Sequence, residues 1–401
     1  MRIVFVAPFG LRPKGTVIAR MAPLAAELQG LGHQVLIVAP PYTNPRDAGR
    51  TETVRGVGVR NIELGLFKGA AAVPSISLRL FRAALREKPD LVHLFKPKGY
   101  GGVAAMLLIL CGRLGFRMPP LFLDADDWEG TGGMNDLMRY SPLEKRFFAF
   151  QEQWLPGRAF GVTVASKALE EMVFAMGIGR ERIFYLPNCV DQPVQGDGAG
   201  IRGEMGIPPN APVLLLYTRF FEFGQERLHR VFAGVFRRVP GVRFLVVGRG
   251  RGGEEELLRE AARRGGFDGA LVMAGWIEPA HLPDYLAAGD VALYPFDDTR
   301  VNRAKCPAKF TELLSLGIPV VADRVGQISE YTAPELRSLL CSPGDEPEMI
   351  GKCSELLLDP VKRSRTARIG RDYIFGNFTW RSYAERLSEF YGQRLSAAHR
   401  C

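Results

Sequence analysis

Twice along this chain, with a polar break between, short apolar runs alternate with segments of helical periodicity, and that rhythm restricts the fold more than any other feature. Residues 2–9 read as a buried strand and 10–16 as a loop marked by Gly and Pro. Residues 17–31 read as a helix with Ala19, Leu24, Ala25, Leu28 and Leu31 facing inward, and 34–39 as the next strand. A strand, a helix and a second strand in that order make a right-handed crossover, which lays the strands parallel and covers the sheet. The strands 57–64, 91–95, 120–123 and 160–165 extend the series. A helix over 143–155 has an aromatic side, and Ser166 opens another. Residues 192–210, rich in Gly, Pro and Asp, read as a linker. Beyond it the rhythm resumes with strands at 213–217, 243–247, 271–275 and 291–294 and helices at 227–238 and 282–287. A chain of 401 residues exceeds what one core usually supports. The expectation is an α/β protein of two Rossmann-like domains, 1–195 and 196–379.

Charge is unevenly spread. The first 190 residues carry 24 Lys and Arg against 16 Asp and Glu, while the remainder is nearly balanced. Such a surface favours anionic partners, and Arg79, Arg82 and Arg86 set among leucines would make one helix basic and amphipathic. The sequence contains neither an aromatic-interleaved basic motif nor a helix-turn-helix, which argues against nucleic acid. The apolar run 103–111 falls well short of the roughly 20 residues that cross a bilayer. Six scattered cysteines without a C-x-x-C pair suit reduced thiols better than disulfides or zinc. The expected location is the cytoplasm, with peripheral contact at the inner face of an anionic membrane through the basic first domain.

Open parallel sheets bind ligands beyond the carboxyl ends of their strands, so the residues that follow each strand carry the chemistry. In the first domain these are Gly15, where backbone could approach a ligand, then Lys96 and Lys98 beside His93, then Asp124, Asp126 and Asp127. Carboxylates so crowded repel one another and need a metal, a basic neighbour or a shared proton. D-x-D is a weak magnesium pattern, and a general base or a hydroxyl-binding carboxylate fits equally well. In the second domain they are Thr218 and Arg219, then Gly248, and then the stretch 305–323. There Lys305, Cys306 and Pro307 lead into a short helix on which Lys309 and Glu312, three apart, share a face while Phe310 turns inward. A cation, free backbone N–H groups and the positive end of a helix dipole hold phosphate, and Glu312 could accept two hydroxyls such as those of a ribose. An ordinary surface helix with an i,i+3 pair explains the same residues. Arg219 on the same carboxyl edge would supply a second cation, and two cations at a helix N-terminus suit a diphosphate.

Ser166 before a helix, Pro187-Asn188-Cys189-Val190-Asp191, Val246-Val247-Gly248-Arg249-Gly250 and Gly275-Trp276 follow one another in order. So do Tyr285 to Val291, the 305–323 stretch, Gly326 to Glu330, Pro343-Gly344-Asp345 and Phe378-Thr379-Trp380. In this order the chain resembles the glycosyltransferase group 1 family, RfaG-like retaining enzymes of GT-B fold, most strongly from Arg219 to Tyr391. The family usually has Gly in place of Cys189. The resemblance implies two Rossmann-like domains facing across a cleft, the second binding a UDP-sugar or GDP-sugar donor and the first a glycan, lipid-linked or small-molecule acceptor. It places Arg219 and Lys309 on the donor diphosphate and Glu312 on its ribose, with Gly15, Thr218, Gly248, Lys305, Cys306, Pro307 and Phe310 around the nucleotide. It implies no metal and no further cofactor, and returns a closing helix, 380–401, to the first domain. Many relatives carry an acid eight positions before the ribose-binding one, where this chain has Ala304, and a lysine where it has Gly224. The family's retaining route needs no protein base, whereas an inverting one would use Asp127 or His93. The alternative readings are a non-hydrolysing sugar-nucleotide epimerase and a catalytically silent sugar-nucleotide-binding subunit.

Overall fold

The computed structural model describes residues 1–12, 15–67 and 69–398. Residues 13 and 14 of the expected loop and 399–401 of the expected closing helix lie outside the described residues. By internal contacts the chain forms two compact units. The first takes Met1–Cys189, Ala304–Cys306 and the chain from Phe378 onward, and the second takes Val190–Arg303 and Pro307–Asn377.

The strands of the first unit are β1 (Arg2–Val6), β2 (Gln34–Ala39), β3 (Thr51–Val54), β4 (Val57–Asn61), β5 (Leu91–Phe95), β6 (Leu121–Ala125), β7 (Gly161–Val164) and β8 (Ile183–Tyr185). They lie in the order β3-β4-β2-β1-β5-β6-β7-β8. All pairings are parallel except β3 with β4. Apolar runs such as Leu-Val-His-Leu-Phe form strands here because helices cover both faces of a parallel sheet. β3 is absent from the sequence reading because Thr-Glu-Thr-Val is only half-buried on the sheet's edge. It pairs with β4 through Arg55 and Gly56, both at positive φ (53° and 78°), the backbone a tight two-residue hairpin requires. The helix expected over 17–31 opens instead as a π-helical turn, Val17–Met21, before the α-helix Ala22–Gly30, where Pro23 offers no N–H to a continuous ladder. Arg20 in that turn is buried, and its guanidinium grips Asp124 at 2.8 and 2.7 Å.

The second unit holds β9 (Val213–Tyr217), β10 (Arg243–Val247), β11 (Leu271–Gly275), β12 (Val291–Tyr294), β13 (Val320–Asp323) and β14 (Leu340–Cys341). They form one sheet in the order β11-β10-β9-β12-β13-β14, parallel throughout. Its core includes Leu214, Leu216, Phe232, Phe244 and Val246, with Phe232 stacked on Phe244 at 4.4 Å. The segment 192–210 is not all linker. It contains the helix Gly198–Glu204, whose first turn is capped by the Asp197 carboxylate accepting from the Gly200 N–H at 2.9 Å. The last helix, Trp380–Ala398, belongs to the first unit and packs on Ala22–Gly30.

Candidate active site

At the carboxyl end of β9 the buried Thr218 hydroxyl accepts from the Phe220 N–H at 2.7 Å, with Phe220 itself at φ 66°. Arg219, between them, is exposed, its guanidinium 5.2 Å from the centre of the Phe221 ring. β10 delivers Gly248, at φ 128°, against this turn. A Cβ there would stand 1.8 Å from the Thr218 carbonyl oxygen, so only glycine lets the two loops lie together.

The helix Ala308–Ser315 has Pro307 as its cap residue, and Gly317 (φ 72°) follows its end. Lys309 and Glu312 share the face turned to β9. The Lys309 ammonium lies 4.8 Å over the Tyr217 ring, and the Tyr217 hydroxyl is in hydrogen-bonding contact with the Glu312 carboxylate. Burial raises Glu312 above the usual carboxylate range, opposed by the Tyr217 hydroxyl and by the charges of Lys309 and Arg219. Lys309, Glu312 and Tyr217 thus lie together, and the charge of Arg219 reaches Glu312. Glu312 Oε2 is buried and makes no hydrogen bond among the described residues. A small cavity lined by Tyr217, Thr218, Phe223, Tyr294 and Lys309 adjoins them.

Other expected residues fall elsewhere. Phe310 is a core residue, edge-on to Tyr294 at 5.3 Å, and its side chain does not line the site. Gly15 is exposed, and a Cβ on it would meet nothing, so its own packing does not demand glycine. Lys305 and Cys306 group with the first unit, where Cys306 Sγ accepts from the Asn188 N–H at 3.0 Å. Ala304 is fully buried, and its carbonyl accepts from Ser166 Oγ at 2.7 Å. Of the acids that precede it on the chain, Asp298 pairs with Arg303 at 2.7 Å, and Asp297 accepts from the Gly224 N–H at 2.8 Å.

In the first unit the neighbouring strands β5 and β6 bring their trailing loops together. Lys96, buried and at φ 57°, sets its ammonium 2.8 Å from Asp126, 2.7 Å from Asp127 and 3.3 Å from Glu129. Lys98 reaches Glu129 at 2.5 Å and Asn135 Oδ1 at 2.8 Å. Burial pushes the Asp126 carboxyl up to about 6 against the pull of Lys96. Asp127, however, is held below the usual carboxylate range, because Lys96 outweighs the effect of burial. This corrects the expectation of Asp127 as the base of an inverting route. His93 is corrected likewise. It is fully buried, Nδ1 is 2.5 Å from the Tyr391 hydroxyl, Nε2 is 3.3 Å from Thr163 Oγ1, and burial pushes the imidazole down to about 4. Among the described residues no three His, Cys, Asp or Glu side chains form a metal-ligand group, and the D-x-D carboxylates are met by Lys96 and Arg20 instead. Glu129 and Glu152 were not singled out from the sequence. The available signal was Asp-Asp-x-Glu following the strand next to the one that delivers Lys-x-Lys.

Two family models match, one to each unit: a glycosyl transferase 4-like domain over residues 15–189, and glycosyl transferases group 1 over 211–359. D-inositol 3-phosphate glycosyltransferase of Segniliparus rotundus is 28% identical over 220 residues, 54% of this chain and 48% of that protein. A phosphatidylinositol N-acetylglucosaminyltransferase subunit of Arabidopsis thaliana is 23% identical over 408 residues, 100% of this chain and 83% of that one. The chain spans about half the length of several of its curated relatives. Among solved structures, Anabaena HepE in complex with UDP superposes with a TM-score of 0.71 at 17% identity, over 98% of this chain and 100% of that one. With two parallel-sheet α/β domains of GT-B type and a matching family model on each, the chain belongs to the group 1 glycosyltransferases.

Proposed function

We propose that the protein transfers a sugar, with retention at the anomeric carbon, from a UDP-sugar or GDP-sugar to a hydroxyl of a glycan, lipid-linked or small-molecule acceptor. The observation that carries this reading is the pairing of Lys309 and Glu312 on one helix face at the carboxyl edge of one parallel sheet, with the charge of Arg219 reaching Glu312. Breaking the bond from the anomeric carbon to the diphosphate builds negative charge on the leaving oxygen. Two preorganised cations stabilise that charge, an effect typically worth about 3 kcal/mol per well-placed group. Glu312 Oε2, buried and without a hydrogen bond among the described residues, supports a role in accepting ribose hydroxyls. Retention is supported by the state of the two residues an inverting enzyme would use. Asp127 is tied up by Lys96 and His93 is sealed in the core, so the proton of the incoming hydroxyl passes to the leaving phosphate oxygen on the same face.

The acceptors in the relatives' names are an inositol phosphate and phosphatidylinositol, and we extend the class, a ring polyol, to this chain. The basic first domain suits the surface of an anionic membrane, with Leu114 and Phe116 exposed between Arg113 and Arg117. No helix among the described residues is long and apolar enough to cross one. No disulfide joins cysteines among the described residues, in keeping with the cytoplasm.

Calorimetric titration with UDP and GDP tests the donor site and picks the nucleotide. Lys309→Ala and Glu312→Ala are each expected to weaken binding at least tenfold while leaving the circular dichroism spectrum unchanged. Undiminished affinity in both variants would overturn the assignment.

A further inference from the structure

One oxygen of the Glu312 carboxylate is held from a neighbouring strand, and the other is not. We propose that Tyr217 is a positioning residue of the donor site: its hydroxyl anchors one Glu312 oxygen and so presents the second to the ribose, while its ring steadies Lys309 on the same helix face. This role rests on the reading of Glu312 as the ribose-binding group, and adds a residue of β9 that acts through it.

Three observations carry it. First, one side chain reaches both polar residues of the helix Ala308–Ser315. The Lys309 ammonium lies 4.8 Å from the centre of the Tyr217 ring, and the Tyr217 hydroxyl is in hydrogen-bonding contact with Glu312. Phenylalanine suits a strand as well as tyrosine does, so β9 by itself has no need of the hydroxyl. Second, Glu312 Oε2 is buried and makes no hydrogen bond among the described residues, so the contact with the hydroxyl falls to Oε1. The last torsion of a glutamate is broad, and a carboxylate anchored by one oxygen loses that freedom and keeps the other oxygen in a single place. A buried acceptor left unmet is costly, and a ligand hydroxyl relieves the cost. Third, the same hydroxyl favours the form of Glu312 that the ribose requires. Burial raises the carboxyl, and of the influences that oppose it the Tyr217 hydrogen bond comes before the charges of Lys309 and Arg219. The anion accepts with both oxygens, whereas a protonated carboxyl turns one of them into a donor. Tyr217 stays the donor of the pair, because burial first and the Glu312 charge second hold its phenol far above the ordinary range. The anchor is itself well fixed. Tyr217 ends β9, which lies between β10 and β12, it is in register with Val247, and the next N–H, that of Thr218, donates to the Val247 carbonyl at 2.9 Å. A positioning group on a strand within the sheet is held more firmly than one on a loop.

The test measures, by calorimetry on the full-length protein, the binding of UDP and GDP and of their 2′,3′-dideoxy counterparts. The wild type is expected to hold its preferred nucleotide more tightly than the dideoxy form, because only the former offers hydroxyls to Glu312. Tyr217→Phe keeps the ring beside Lys309 and removes the hydroxyl alone. It should lose about tenfold in affinity for the full nucleotide and nothing for the dideoxy form, so that the preference for the ribose hydroxyls shrinks by the same factor. Unchanged affinity for the dideoxy form also shows that the variant is folded, whereas a merely structural role would weaken both forms alike. In a Glu312→Ala background the same substitution should change neither affinity, since the hydroxyl acts through the carboxylate. The inference falls if Tyr217→Phe retains the wild-type preference, if it weakens both forms equally, or if it still lowers affinity once Glu312 is gone. A wild type that binds full and dideoxy nucleotides alike, or binds neither UDP nor GDP, sinks the assignment of Glu312 itself, so the two failures are told apart.

Discussion

Glu152 shows how far a single carboxyl can be moved by its surroundings. Burial first, and the charge of Glu129 second, push it up to about 8 from an ordinary value of 4.5, against two backbone N–H groups and Lys98 that favour the anion. Between those two values the folded protein keeps a proton that the unfolded chain has released. The folded state binds more protons there, so stability falls as pH rises through that window. Glu152→Gln, which carries no titrating proton, should flatten the fall. Comparing urea midpoints at pH 5 and pH 8, the wild type should lose stability by about 1.4 kcal/mol for each pH unit crossed, and the variant should lose markedly less. A fall of equal size in both proteins would refute the assignment of the proton to this residue. His93 and Asp127 mark the limit of reading residues from sequence. Both were visible as titratable groups near strand ends. What neutralises them is not local: Tyr391 is 298 positions from His93, and Lys96 comes from the end of the neighbouring strand. Lys309 and Glu312 were readable because one turn of one helix holds both.

At the scale of elements, the strands that run unbroken and apolar could be read to the residue: Leu91–Phe95, Val213–Tyr217, Arg243–Val247 and Val291–Tyr294. Elements without that signal escaped. β3 is a half-exposed edge strand, the helix Gly198–Glu204 is built on Gly and Asp, and the π-helical turn at Val17–Met21 has the same apolar pattern as the helix it interrupts. The turn joining β9 and β10 to their loops depends on Gly248. An alanine there would suffer both the positive φ and a 1.8 Å approach to the Thr218 carbonyl, and Thr218 precedes the arginine assigned to the diphosphate. Gly248→Ala should destabilise the second unit by about 2–4 kcal/mol, of which about 1–3 is backbone strain. Guanidinium denaturation followed by near-ultraviolet circular dichroism reads the loss. Nucleotide affinity should drop in the same variant because the loop carrying Arg219 must shift, and an unchanged denaturation midpoint would show that the loops are not locked together by this glycine.

For the whole molecule, the decisive feature is that the chain leaves the first unit after Cys189 and, but for Ala304–Cys306, returns to it with its last helix. Trp380, Tyr383, Leu387, Phe390 and Tyr391 are all buried there, Phe390 lying 6.0 Å from Phe122 and 5.3 Å from Phe184. At about 1.5–3 kcal/mol for each large apolar side chain, their loss rivals the about 5–15 kcal/mol that holds a typical domain folded. A chain ending at Asn377 should therefore keep a second unit that resists protease and binds nucleotide, while its first unit is digested. A first unit as resistant as in the full chain would refute this. The two-domain plan was readable from the repeated strand and helix rhythm. The border at Cys189 was not, because the expected linker composition begins a few residues later.

That returning helix also sets an order of events during synthesis. A ribosome makes the chain from the amino end, so the second unit has all its residues once Asn377 has emerged, while the first, though made earlier, still lacks the aromatic side chains that close its sheet against helix Ala22–Gly30. Phe122 of β6 and Phe184 of β8 then lack the Phe390 ring that packs on them for the time it takes to translate the second unit. On the nascent chain the half made first is the last to be finished, and it is in that interval that the protein has most need of a chaperone.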